Sequence, residues 1–399
     1  MRVGLQLVFW LDCNIAGLLV ASGHCGLVLP RFVDSRTLAA TEFTNPKTSR
    51  DKRAEHPIDP IQLTTEPIPR AETSEIDQLK RCSLEQHITF EIKAAMSTIK
   101  NVIVVGASGN LGPSILQALL VSSQFNVSVL TRAGSHSAST FPANVTVHTT
   151  DYTPESLAAA FKDKDAVVSV IAGAALGEQK KLIDAAIAAG VKRFIPSEFG
   201  SNTDNRDAQE LVPVFSRKVE IKEYLESRVG DGLTWTGIVV GPVFDRSLKL
   251  GFLGFDIPSR RATIYDSGER RFTTSTLALV SSAVVGVLLH PEQTANKYVY
   301  VGSFTTTQNE ILALLQSATS DEWTVERTTS TEKVDLGKEN VLKRRDSAAI
   351  RPLVTAAMYH ERGGSDYEKD VGLSNDLLEL KQQQGLEEVI GEVVKSLSA

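Results

Sequence analysis

The chain has 399 residues, 42% hydrophobic and 23% charged, the balance of a globular protein with room for two domains, and global disorder is excluded. A net charge of -6 argues against general binding to nucleic acid or an anionic membrane. Three cysteines exclude a disulfide scaffold and a multi-cysteine zinc fold.

Residues 1–95 read apart from the rest. Cys13, Cys25 and Cys82 all fall there, and the thiol-free remainder suits a reducing compartment, hence an expected cytoplasmic location. The apolar run after Arg2 is broken by Asp12 and Asn14, too short for a spanning helix. It reads either as a signal peptide with an interrupted core or as an untargeted leader. Pro46, Pro57, Pro60, Pro67 and Pro69 mark a linker tract without regular structure. Met96 then opens MSTIKNVIVVGASGNLG, so the expectation is that Met96 is the functional start and 1–95 a poorly ordered upstream extension of the gene model.

From residue 100 on, β-branched runs alternate with helical spacing. Strands are expected at 101–105, 126–130, 145–148, 166–171, 192–196 and 233–240. Helices are expected at 111–121, 154–161, 177–189 and 214–228. This alternation predicts an α/β, Rossmann-type doubly wound parallel sheet over residues 96–244. Beyond Gly241 the alternation weakens, with short strands at 262–265, 298–301 and 323–326 and helices at 276–289, 308–317 and 386–397. Residues 245–399 read as a smaller substrate lobe interleaved with the sheet.

Gly106, Gly109 and Gly112 follow the first strand and open the first helix. That context suits a tight turn whose amides, with Ser108, Asn110 and Leu111 in the loop, approach a pyrophosphate at a helix N-terminus. At the end of the second strand, where an NAD site usually carries an acid, stands Arg132, and a guanidinium suits a 2′-phosphate. The pattern therefore points to NADP(H). Asp151 after the third strand reads equally as an adenine contact or as a turn and helix cap. Ala172 and Gly173 after the fourth let a ribose and nicotinamide pass close to the backbone.

The fifth strand ends in Pro196-Ser197-Glu198-Phe199-Gly200, at the edge where open α/β sheets take ligands. The following helix carries Lys218 and Lys222 four apart, on one face. Lys218 is nearer the ligand edge, and Lys222 reads as a solvated helix charge.

The segments GASGNLG, LTR, AGVKRFIPSEFG and VFSRKVEIKEYLE, in this order, resemble atypical short-chain dehydrogenases of the isoflavone reductase and phenylcoumaran benzylic ether reductase type. They are also similar to the fungal NmrA-like proteins. The resemblance spans roughly residues 99–315. It implies an NADPH-dependent reductase in which the lysine matching Lys218 is the catalytic acid/base residue, with Pro196, Glu198 and Phe199 beside the cofactor. A lysine buried near cofactor can exchange protons near neutrality. Two departures stand out. Val214, four residues before Lys218, leaves the ordinary Tyr-x-x-x-Lys pair incomplete, and 133–142 holds no second Lys or Arg, only His136.

Two functions follow from the resemblance: hydride transfer to a small aromatic or carbonyl-containing metabolite, or a non-catalytic dinucleotide-binding redox sensor. Lys218 in its loop-and-helix context favours the enzyme. Seven histidines form no H-x-x-x-H pair, so no metal is expected. The expected partner is a small molecule, without nucleic acid or membrane, bound by a monomer or homodimer.

Overall fold

The computed structural model describes residues 5–8, 18–21, 99–135, 140–381 and 384–398. Leu5–Val8 and Leu18–Ala21 pair as a two-stranded antiparallel ladder within a separate unit, Met1–Thr73. The proline tract and the start at Met96 lie outside the described residues.

The cofactor-type half runs β1 (Asn101–Val105), α1 (Gly112–Ser122), β2 (Asn126–Arg132), β3 (Thr146–Thr150), α2 (Pro154–Phe161), β4 (Ala166–Ser169), α3 (Gln179–Ala188), β5 (Arg193–Ile195), α4 (Arg206–Leu211), α5 (Ser216–Ser227) and β6 (Thr234–Val239). Each expected element has an observed counterpart within a few residues, while α4, in a stretch read as loop, was not expected. One difference is that the helix expected from 177 begins as a 3-10 turn, Gly173–Glu178, and becomes α-helical only at Gln179.

The second half runs α6 (Phe244–Lys249), β7 (Phe255–Asp256), β8 (Arg261–Tyr265), β9 (Phe272–Thr274), α7 (Leu277–Leu289), β10 (Lys297–Tyr300), β11 (Phe304–Thr306), α8 (Gln308–Thr319), β12 (Thr324–Thr328), α9 (Ser330–Lys338), α10 (Ile350–Tyr359), α11 (Tyr367–Asp370) and α12 (Leu386–Ser398). The sequence pattern gave no sign of α9, α10 or α11.

Seven strands form one parallel sheet in the order β3-β2-β1-β4-β5-β6-β10. The outermost strand beside β6 is thus supplied by the second half of the chain. Alternation along β1 shows why the sheet is covered on both faces. Val102 and Val104 join Ile115, Leu119, Val284 and Val287 on the side of α1 and α7. Ile103 and Val105 join Leu157, Phe161, Leu182 and Phe194 on the side of α2 and α3. A third core, with Phe244, Phe255, Phe272, Ile311 and Leu353, lies within the second half. Connections leave in opposite directions between β1 and β4. This switch point opens a crevice at the strand C-termini, where open α/β sheets bind ligands.

At the opposite end of the sheet a cation is buried. Arg193, 2% exposed, donates to the hydroxyls of Thr234 (2.9 Å), Thr236 (2.6 Å) and Thr294 (3.0 Å) and to the Pro291 carbonyl. Burial lowers its pKa to about 10. These bonds tie β5 to β6 and to the turn before β10.

Candidate functional site

The loop after β1 is shaped by what its glycines lack. Gly106 has φ +88°, and a Cβ there would meet the Val170 carbonyl at 2.9 Å. A Cβ on Gly112 would lie 2.4 Å from the Ala107 carbonyl. The loop therefore closes tightly, with the Gly109 amide donating to the Gly106 carbonyl at 2.9 Å. Helix α1 has Leu111 at its N-cap position and so no side-chain cap, whereas α2 and α7 are capped by Thr153 and Thr276. Its N-terminus adjoins the cavity lined by Asn110 and Leu111 and carries no side-chain cap, as an anion site requires.

The ends of β4 and β5 are clamped together. The Ser197 hydroxyl donates to the Ile171 carbonyl at 2.7 Å, and the Ser197 amide donates to the side chain of buried Gln179 at 2.8 Å. This holds Glu198 beneath the N-terminal part of α5. The Lys218 ammonium donates to the Glu198 main-chain carbonyl and lies 3.7 Å from Glu198 Oε1. Burial raises the Glu198 pKa, against the pull of Lys218 and the Thr203 hydroxyl, which donates to Oε1 at 2.6 Å.

A phenol network supports the loop. The Tyr298 hydroxyl lies 3.4 Å from Thr203 Oγ1, Tyr300 donates to Asn202 Oδ1 at 3.3 Å, and the Asn202 amide donates to the Tyr367 hydroxyl at 3.1 Å. Burial pushes the Tyr300 hydroxyl up to about 12 and that of Tyr298 higher still, so both remain protonated donors. Gly237 makes this possible, since a Cβ there would lie 2.4 Å from the Tyr298 ring. Lys222, one turn beyond Lys218, pairs instead with Asp204 (2.5 Å) and Glu226 (3.5 Å).

A cavity of about 430 Å³ collects most of the expected site: Gly109, Asn110, Leu111, Ala172, Gly173, Glu198, Phe199 and Lys218 line it. A Cβ on Gly173 would meet nothing within 4 Å, and one on Gly200 would lie 3.6 Å from Lys218 Nζ, so small residues keep its floor open. Gly106 and Gly112 set the loop from behind, and Ser108 is exposed beside it. Pro196 stays outside the lining, its carbonyl accepting from the Glu198 amide at 2.8 Å.

Arg132 and Asp151 also lie outside the cavity, at the ends of the neighbouring strands β2 and β3. Arg132 is exposed near the Tyr152 hydroxyl, whose pKa burial raises against the pull of the Arg132 charge. Asp151 Oδ1 accepts from the Thr153 amide (3.1 Å) and from the hydroxyls of Thr153 and Ser156 (2.7 Å each). The Ser156 and Thr153 bonds hold its carboxyl at about 2. Asp151 thus makes the turn into α2, while the cap itself is Thr153.

The far wall was not anticipated. Phe215, Arg246, Leu250, Phe252, Arg351 and Met358 line it. Arg246 donates to Asn110 Oδ1 at 2.7 Å, joining α6 to the glycine loop.

The profile of the NmrA-like family matches residues 98–382. The chain belongs to the NmrA-like family. Among curated relatives, the oxidoreductase aprR of Aspergillus flavus is 40% identical over 302 residues, 75% of this chain and 99% of the relative. The oxidoreductase poxI of Penicillium oxalicum is 38% identical over 64% of this chain and 81% of its own. An isoflavone reductase homolog of Arabidopsis thaliana is 27% identical over 66% and 87%.

The fold is shared with solved reductases. The leucoanthocyanidin reductase–NADPH complex from Vitis vinifera superposes with a TM-score of 0.64 at 19% identity, covering 74% of this chain and 99% of that one. An isoflavone reductase superposes at 0.60 with 21% identity over the same shares. As an NmrA-like protein with this fold, the chain carries the expected α/β Rossmann-type architecture. No helix among the described residues is long and apolar enough to cross a membrane.

Proposed function

We propose that this chain is an NADPH-dependent reductase of a small aromatic or carbonyl-containing metabolite, with Lys218 as its proton donor. The observation carrying the reading is convergence: the glycine loop, the ends of β4 and β5, and Lys218 all face one cavity. Names of relatives add support, since aprR and poxI are called oxidoreductases and the grapevine neighbour was solved with NADPH.

The residues present fit a nicotinamide dinucleotide. The tight glycine loop and uncapped α1 would hold the diphosphate, Arg132 with Tyr152 the 2′-phosphate, and Ala172 and Gly173 the nicotinamide ribose. When bound, the cofactor supplies the hydride. Lys218 holds a proton at Nζ and delivers it to substrate oxygen as negative charge develops there. Glu198 fixes the ammonium through its carbonyl and balances its charge through its carboxylate. Phe215, Phe252 and Met358 exclude water from the reacting end.

On this reading residues 96–244 carry cofactor and 245–399 line the substrate side, and the protein works in the cytoplasm as a monomer or homodimer. The test is NADPH oxidation across a panel of aromatic carbonyl compounds, wild type against Lys218→Ala. Turnover that depends on Lys218 supports the enzyme. Tight NADPH binding without oxidation across the panel replaces it with a dinucleotide sensor.

A further inference from the structure

Helix α10 turns one stripe toward the cavity. Arg351, Val354 and Met358 stand at i, i+3 and i+7 and all line it. The stripe is graded, since Arg351 is exposed at the rim, Val354 is half-buried and Met358 is buried. Phe215, Leu250 and Phe252 continue the apolar surface. Leu250 remains 51% exposed at the mouth, apolar area that a bound ligand would cover.

The charges in this cavity run against those of the chain. The sequence carries net charge -6, yet the lining holds Lys218, Arg246 and Arg351 against one carboxylate, Glu198. That carboxylate is already engaged by Thr203 and Lys218. Arg246 bonds Asn110 in the glycine loop, on the diphosphate side. Among the described residues Arg351 makes no ion pair or side-chain hydrogen bond, whereas Arg260, Arg271 and Arg362 of the same half each pair with acids. A guanidinium presents a planar fork of donors matched to a carboxylate.

We infer that the substrate is an aryl carboxylate, its aromatic body against Phe215, Phe252 and Met358 and its carboxylate on Arg351 at the rim. This rests on the reductase reading and extends it from a broad metabolite class to acids with the anionic end directed away from Lys218. Arg351 is then a specificity-determining residue, and its loss weakens acids selectively.

The experiment measures binding of benzoate, phenylacetate, cinnamate and indole-3-acetate, and of their methyl esters, to the NADPH-loaded full chain. NADPH affinity is measured separately by nicotinamide fluorescence. Expected is a preference for at least one acid over its ester of about ten-fold, lost in Arg351→Gln and partly restored in Arg351→Lys, with NADPH affinity unchanged. Equal affinity for acids and esters, preference for the esters, or no binding of any acid while NADPH binds normally overturns the inference alone. Failure to bind NADPH overturns the reductase reading beneath it. An Arg351→Gln variant that keeps the wild-type acid preference also overturns the inference.

Discussion

Lys218 and Glu198 meet twice: the ammonium donates to the main-chain carbonyl of Glu198 and lies 3.7 Å from the carboxylate of the same residue. One glutamate therefore sets both the position of the lysine and the charge beside it. Replacing Lys218 by Ala is expected to lower NADPH oxidation by about 100-fold or more, the range of a positioned general acid. Steady-state rates and fluorescence titration check that NADPH affinity falls far less than turnover.

The Glu198 carboxyl has a raised pKa because burial disfavours its charge. The folded state thus holds this proton more tightly than the unfolded chain does. The contribution favours folding in acid and is lost as pH rises through the folded value. Glu198→Gln keeps an acceptor for Thr203 and removes the ionisation. Its melting temperature relative to wild type is expected to climb as pH rises above the ordinary carboxylate range, because only the wild type must then ionise a buried group, while turnover falls because Lys218 loses that partner. A flat difference across that pH range in thermal melts would contradict this account.

Arg132 ends β2 beside the Tyr152 hydroxyl, with no acid at that strand end. Arg132→Asp is expected to reduce the NADPH-over-NADH preference by about ten-fold to a hundred-fold through loss of a charge-assisted bond to phosphate. The ratio of the two dissociation constants reads the effect directly.

Gly112 has no room for a methyl group, since its Cβ would sit 2.4 Å from main-chain atoms of Ala107. Gly112→Ala should cost about 1–3 kcal/mol of stability and disrupt NADPH binding. At Gly177 an added Cβ meets nothing within 4 Å, so Gly177→Ala is the matched control expected to leave both nearly unchanged. Chemical denaturation and titration of the two variants compare them.

Arg193→Met would strip donors from the Pro291 carbonyl and from hydroxyls of three threonines. The expected loss is about 3 kcal/mol, the scale for breaking a buried polar cluster. Urea melts measure it, and NADPH binding in the folded variant should persist because Arg193 is remote from the cavity lining.

The sheet was legible because buried parallel strands read as short apolar runs, as at Ala166–Ser169, where every residue is buried. The glycine loop was legible because its spacing is imposed by backbone geometry, whereas Lys218 stood out only through the resemblance of its flanking motifs to the reductase family. The far wall was not. Helix α10 contains Pro352, which reads as a breaker, but it is the third residue of the helix, in the first turn where no amide donor is required. Helix α9 is short and polar, so no apolar stripe announced it. Thr203 and Tyr298 are 95 residues apart and meet only because β10 joins β6, a pairing that local periodicity does not encode.

That pairing bears on how these proteins diversify. Since β10 lies in the second half yet forms the border of the nucleotide-type sheet and carries Tyr298 toward Thr203, the halves are not interchangeable cassettes. A chimera that imported its C-terminal half from a relative would also import the phenol bracing the Glu198–Thr203 segment that holds the lysine. New substrate preferences are reached more safely by grafting individual side chains along α10, leaving the border strand in place.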